Sequence, residues 1–388
     1  MAFENILIEL VLIFAGSALL ATGFLYLKQP IILAYIILGV LIGPWGFGLV
    51  KEPEHIEHIS HIGIILLLFL LGLNLHPNKL YRLMRKTSIV TISTSAVFAV
   101  AGTLMALLFG YAVLDSLMVG VALMFSSTVV SIKLTPTTAL HQRHIGEMMT
   151  SVLLFQDIIA IFVIVLVTGG SRDSIYMGTA ALLIKTIVIG VLCFVFVKYV
   201  LLRLFMKFDV IQDYMFLASL GWCMLVAAVA KYTGLSYEIG AFLAGTSIAS
   251  FPIALGIAEK LKPLREFFLI LFFFSIGAQF NFAVTQNVLL PGLVIAGGVV
   301  LLKPLVFAGA FRVVKEEARI SKELGVRLGQ ASEFSLLVAY SAATAGKIES
   351  GTSFLIQFVV VLTFVVSTYL VVFRYPTPIS ANVQMRRD

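Results

Sequence analysis

The sequence predicts an all-α polytopic membrane protein, a single transmembrane domain over residues 1–388. Three observations lead there. Hydrophobic residues make up 60% of the chain and charged residues 12%, with a mean hydropathy of +1.06; a soluble domain carries about 25% charged residues. The chain divides into successive apolar runs of about 20 residues, the length that crosses a bilayer as a helix. Lysine and arginine recur in every second connection between runs, the pattern of alternating cytoplasmic loops. Those loops account for the net charge of +7, so it does not indicate affinity for nucleic acid.

Thirteen candidate spans follow from the length criterion. They lie near residues 6–28, 31–49, 59–76, 87–110, 115–135, 143–168, 176–206, 211–232, 235–252, 264–281, 286–312, 321–346 and 353–374. The first carries Glu4 and Glu9 where a signal peptide would be basic, and it is longer than a signal's apolar core, so it is read as a span and not a cleaved leader. Basic clusters follow the odd-numbered spans: Lys79, Arg82, Arg85 and Lys86; Lys133 and Arg143; Arg203 and Lys207; Lys260, Lys262 and Arg265; Arg312, Lys315, Arg319 and Lys322; Arg374, Arg386 and Arg387. The other connections are poor in basic residues. The N-terminus is then outside and the C-terminus cytoplasmic. This arithmetic makes spans one to six and eight to thirteen two inverted six-helix repeats with span seven as linker, a plan that places a binding site near the membrane midplane.

The corresponding spans of the two repeats carry matching polar interruptions. The fifth holds Ser126-Ser127-Thr128 and the twelfth Gly329-Gln330-Ala331-Ser332-Glu333. Hydroxyls can satisfy backbone groups where a membrane helix unwinds, so both spans are expected to be broken and to cross near the midplane.

Against this background Asp157 stands out. It sits halfway along the sixth span, where an ionised carboxylate costs at least ~2.5–3.5 kcal/mol, and such a group is kept when it is paired, neutralised or used. Gln156 beside it offers a donor and an acceptor without charge. Lys303, followed by Pro304, is equally deep in the eleventh span; it suits a fixed charge compensating the breaks as well as a part in transport. Glu333 follows the second break and can ligate a cation, take a proton, or pair with Lys303 or Arg327. His55, His58 and His61 are best read as a solvated helical face, and Cys193 and Cys223 as small core residues. No phosphate-cradling glycine loop, nucleophile–base pattern or cysteine metal motif is present, so neither an enzyme nor a cofactor is expected.

Several stretches together carry a resemblance: Lys28-Gln29-Pro30 with Gly39–Pro44, Leu68–Leu73, Ser126-Ser127-Thr128, Leu154-Phe155-Gln156-Asp157, Ile239–Gly245, Phe272–Gly277 and Ser332-Glu333-Phe334. In these, over nearly its whole length and in order, the chain resembles the monovalent cation:proton antiporter-2 family, the branch of Kef-type potassium efflux proteins and NapA-type sodium/proton antiporters. The resemblance implies a thirteen-helix antiporter fold of the NapA/NhaA kind. It implies a mobile core subdomain, about 87–170 and 286–375, and a dimerisation subdomain, about 1–76 and 211–281, joined by a linker helix at about 176–206. It further implies elevator movement, a homodimer in membrane lipid, and a cation and proton site at Asp157, with Ser126, Ser127, Thr128 and Glu333 in the broken helices and Lys303 at the midplane.

Electrogenic members resemble one another in carrying two adjacent acids; here the first is Gln156, as in Kef-type proteins. One titratable site implies electroneutral exchange of one proton for one cation and favours potassium. Sodium/proton exchange, a gated potassium efflux pathway acting as a channel, and sodium-coupled uptake of an organic anion are the alternatives. The sequence stops soon after Arg374, so no soluble regulatory domain is expected within it; a nucleotide-binding regulator would be a separate domain or subunit. The expected location is the inner membrane of a prokaryote.

Overall fold

A computed structural model describes residues 2–50, 54–74, 77–136, 144–168, 175–208, 212–280 and 282–377. It is all-helical. The helices are α1 (Ala2–Tyr26), α2 (Ile31–Ile42), α3 (Glu54–Asn74), α4 (Pro77–Leu108), α5 (Val113–Leu123), α6 (Thr128–Lys133), α7 (His144–Thr168), α8 (Ile175–Phe196), α9 (Leu202–Lys207), α10 (Gln212–Tyr232), α11 (Tyr237–Ala249), α12 (Ile253–Ala278), α13 (Phe282–Val313), α14 (Ala318–Arg327), α15 (Glu333–Thr344) and α16 (Ser350–Arg374). Among the described residues, seven helices are long and apolar enough to cross a membrane. Ile31–Ile42, Ile62–Leu73 and Val113–Leu123 are shorter apolar segments. The side chains of His55, His58 and His61 lie outside the described residues.

The chain forms two compact units. The first comprises residues 1–14, 38–80 and 168–279. Within it α3 packs along α11 and α12, and glycine makes the approach possible. A Cβ on Gly72 would lie 2.6 Å from the Phe242 carbonyl oxygen and 2.8 Å from the Thr246 nitrogen, and one on Gly245 would run into the carbonyl of Phe69. Small residues at a helix crossing let backbones touch where lipid supplies no hydrophobic drive for association. Between α8 and α9 the helix widens into a π turn, Val197–Leu201. The buried positions here are Ile189, Cys193, Val197, Leu201 and Phe205. They recur every four residues, which a 3.6-residue turn cannot keep on one face; the wider turn restores the register. Both cysteines are free and buried, Cys223 on α10.

The second unit comprises residues 15–37, 81–167 and 280–388. In it α13 packs on α14 and α16, and α15 packs on α16 and α5. A Cβ on Gly102 of α4 would fall 2.8 Å from the Cα of Gly120, so α4 lies close against the short helix leading to the first interruption. The candidate site is built entirely within this unit.

Candidate functional site

Two spans are interrupted. After α5 the chain runs as Met124–Ser127 without helical structure before α6 begins. After α14 it runs as Leu328–Ser332 before α15 begins. Each restart is capped by a serine. Ser127 accepts from the Val130 N–H at 3.0 Å. Ser332 accepts from the Phe334 N–H at 3.1 Å, while its own N–H donates to Ser335 at 3.2 Å, closing a capping box. The hydroxyls thus satisfy the backbone groups that unwinding exposes.

The interruptions meet. Ser126 Oγ donates to the Leu328 carbonyl at 2.8 Å, Ser131 Oγ to the Arg327 carbonyl at 3.0 Å, and Gln330 Nε2 to the Ser127 carbonyl at 3.3 Å and to Ser131 Oγ at 2.7 Å. α16 supports the second break from behind. Thr363 accepts from the Ala331 N–H at 3.2 Å, and Ser367 donates to Gln330 Oε1 at 3.1 Å. Gly329 fits because a Cβ there would stand 2.8 Å from the ring of Pro304.

Lys303 joins both breaks. Its ammonium donates to the Phe125 carbonyl at 2.5 Å and to the Gln330 carbonyl at 3.0 Å, with the Phe98 ring centroid at 5.3 Å. It is 1% exposed. A lysine here is costly to desolvate, and charge-assisted bonds to carbonyls, about 1.5–3 kcal/mol each, offset that cost. The sequence leaves Asp157, Glu333 or a broken-helix carbonyl open as its partner, and the structure supplies the carbonyls.

Asp157 lies about halfway along α7 and is 2% exposed. Thr128 Oγ1, on the first residue of α6, is 3.4 Å from each of its carboxylate oxygens. That is longer than a normal O–H···O bond, so the hydroxyl stands beside the carboxylate without tying it up. Among the described residues no lysine or arginine forms an ion pair with Asp157. Glu333, at the start of α15 and 7% exposed, is near enough for its charge and that of Asp157 to repel.

Gln156 is committed elsewhere. Its Oε1 accepts the Ser126 N–H at 3.0 Å and its Nε2 donates to the Met124 carbonyl at 3.1 Å. Neighbours on one helix thus divide the work: Gln156 braces the first break and Asp157 faces its restart. The sequence singled out Asp157, Gln156, Lys303, Glu333, Ser126, Ser127 and Thr128, and all of these lie in or against the two breaks. It missed the weight of Arg327, the last residue of α14. Arg327 is 2% exposed and holds Glu323 Oε1 from Nη2 at 2.8 Å. Its partner is therefore Glu323, where the sequence had offered Glu333. Its signal was present, a charge just before a polar break, but a basic residue near a span end reads first as topology.

Chemically the arrangement offers one buried carboxylate, a second nearby, hydroxyls, carbonyls and a fixed ammonium. The carboxylates, hydroxyls and carbonyls are hard oxygen donors, suited to a proton or an alkali-type cation.

Comparison with known proteins agrees in kind. A profile described as "Sodium/hydrogen exchanger, transmembrane" matches residues 11–373. The chain is 28% identical over 393 residues to "K(+) efflux antiporter 5" of Arabidopsis thaliana, covering 97% of this chain and 68% of that one. It is 29% identical over 388 residues to "Glutathione-regulated potassium-efflux system protein KefC" of Enterobacter sp. (strain 638), covering 95% of this chain and 60% of that relative's length. It is 26% identical to "Iron transporter MagA" of Paramagnetospirillum magneticum, over 92% of this chain and 83% of that one. The fold is that of a sodium proton antiporter, MjNhaP1 of Methanocaldococcus jannaschii, solved at pH 8: TM-score 0.72 at 17% identity, over 95% of this chain and 96% of that one. The chain belongs to the transmembrane sodium/hydrogen exchanger family, a family of cation/proton antiporters.

Proposed function

We propose that this protein exchanges a monovalent cation for a proton at Asp157, one for one and without net charge movement, and that the cation is potassium. The observation that carries the proposal is the state of Asp157: a carboxylate 2% exposed, beside a restarting helix and outside any ion pair with lysine or arginine among the described residues. A buried charge left in that condition needs a partner of its own, and a proton or a dehydrated cation can each supply one. Competition between them is the coupling. The loaded or protonated site is neutral and can change sides; the empty ionised site would carry a charge into low dielectric, adding several kcal/mol to the barrier.

Two further observations support single-ion, electroneutral exchange. Gln156 is neutral and bound at both ends to the first break. Lys303 is bound to the carbonyls of both breaks and forms no ion pair with Asp157. Potassium is favoured by the printed names of the Arabidopsis and Enterobacter relatives; the archaeal structure is a sodium antiporter, and sodium is the second reading. The name of the Paramagnetospirillum relative points to iron, but the described residues contain no cluster of three or more histidine, cysteine, aspartate or glutamate side chains of the kind that holds such a metal. The further architecture belongs to the same proposal: thirteen spans in two inverted repeats, an elevator movement of the core, a homodimer, a prokaryotic inner membrane with the N-terminus outside, and a separate nucleotide-binding regulator.

The test is potassium-driven proton movement in proteoliposomes. The wild type moves protons and Asp157→Asn does not. Exchange retained by Asp157→Asn would overturn the assignment.

A further inference from the structure

Arg327 is the largest charged side chain buried in the described structure, and it uses every donor it has. Nε and Nη2 donate to Glu323 Oε1 at 3.0 and 2.8 Å, Nη1 to the Leu134 carbonyl at 2.8 Å and to Thr135 Oγ1 at 3.2 Å, and Nη2 to the Pro376 carbonyl at 2.9 Å. The Tyr375 ring lies 5.7 Å from the guanidinium carbon. A guanidinium has five N–H donors in a fixed fork, and here five bonds reach three separate stretches of chain. Leu134 caps the end of α6. Glu323 and Arg327 belong to α14. Tyr375 caps α16 and Pro376 follows it, leading to Thr377, which is fully buried.

An i,i+4 ion pair between Glu323 and Arg327 would form as readily on an exposed face and would need none of the rest. Sinking the guanidinium is costly, and the added bonds all go to backbone or side chains of other segments. Those segments border the site. The carbonyl of Arg327 accepts from Ser131, Ser131 accepts from Gln330, and the carbonyl of Gln330 holds Lys303. A continuous line of hydrogen bonds therefore runs from the chain leaving the last span to the ammonium that joins both breaks.

We propose that Arg327 is a positioning residue of the ion site, through which the segment Tyr375–Thr377 sets the geometry of the two broken helices. It touches no transported ion. Its part is to hold the C-terminal ends of α6 and α14 in one register, with the exit segment as the third point of the clamp. A load applied to that segment, by whatever follows it or binds it, is then felt at the breaks.

The inference rests on the reading of the breaks as the ion site, and its test separates the two. Wild type, Arg327→Lys and a Gly-Ser insertion between Arg374 and Tyr375 are compared as full-length protein. Proteoliposome exchange gives the apparent KM for potassium and the turnover, with the thermal midpoint alongside. Lysine keeps the charge and loses the fork; the insertion leaves Arg327 and Glu323 intact and displaces the Pro376 carbonyl. Both variants are expected to raise KM by about tenfold, the scale of a lost charge-assisted bond, and by more than they lower turnover. Hydrogen–deuterium exchange across residues 328–332 is expected to speed up in both. Wild-type KM in Arg327→Lys, or an insertion variant indistinguishable from wild type, overturns the proposal. If the wild type itself shows no exchange, the ion-site reading fails, and unchanged protection of 328–332 in the two variants would separately overturn the clamp.

Discussion

Asp157 and Lys303 are both buried charges in mid-membrane helices, yet they are not each other's partner. The ammonium is held by the carbonyls of Phe125 and Gln330, while the Thr128 hydroxyl stands beside the carboxylate without tying it up. This division yields two predictions at the scale of single residues. Lys303→Met leaves two carbonyls without a donor, at about 1–3 kcal/mol each, part of it offset by removing the buried charge. The expected result is a lower thermal midpoint together with lost exchange, measured by differential scanning fluorimetry and proton flux. Gln156→Ala strips both backbone partners from the first break at a similar cost for each, and should lower the midpoint although it removes no charge. A Gln156→Ala protein as stable as wild type would show that the amide does not brace the break. The residues with charge in apolar runs were legible from sequence because burial makes them expensive. Gln156 was legible as a neutral neighbour, but its work was not, since an amide reveals its partners only when the breaks are folded around it. Arg327 was hidden by its address at a span end.

At the scale of elements, the breaks in the fifth and twelfth spans could be anticipated because serine and threonine sit where the chain must leave its helix. The run near 115–135 resolves into α5 and α6, and that near 321–346 into α14 and α15. The π turn at Val197–Leu201 could not be anticipated: the run before it is apolar on every face, so no periodicity in the sequence marks the change of pitch. The close crossing of α3 and α11 was visible only as scattered glycines. Gly245→Val should push the two helices apart and lower the thermal midpoint, because its Cβ would meet the Phe69 backbone, which cannot swing aside. A variant that melts with wild type would contradict that packing. The exit segment after α16 adds a pH prediction. Burial first, and then the Glu323 charge, push the Tyr375 hydroxyl above its ordinary 10.0. The folded protein therefore holds Tyr375 neutral while the unfolded chain ionises, so stability is present below pH 10 and declines as pH rises past it. Tyr375→Phe should weaken this alkaline decline in a thermal-melt series.

For the whole molecule, the proposed exchange is the consequence of one site that must be neutral to move. Composition and span counting are enough to reveal a polytopic membrane protein, and the family match over residues 11–373 establishes its kind. Ion choice is not written in composition, because it depends on how far the hydroxyls and carbonyls of the breaks can replace a cation's water shell. Electroneutral exchange predicts that proton flux into proteoliposomes is unaffected when the membrane potential is clamped, and the proposed choice of potassium predicts that potassium drives it better than sodium or lithium. The most direct test of the shared site needs no membrane. Purified protein in weakly buffered detergent is titrated with potassium chloride while released protons are followed. The account predicts proton release that rises towards one per chain as the starting pH is lowered, weaker cation binding as pH falls, and no release from Asp157→Asn; cation binding without proton release at any pH, or release that persists in Asp157→Asn, would contradict it.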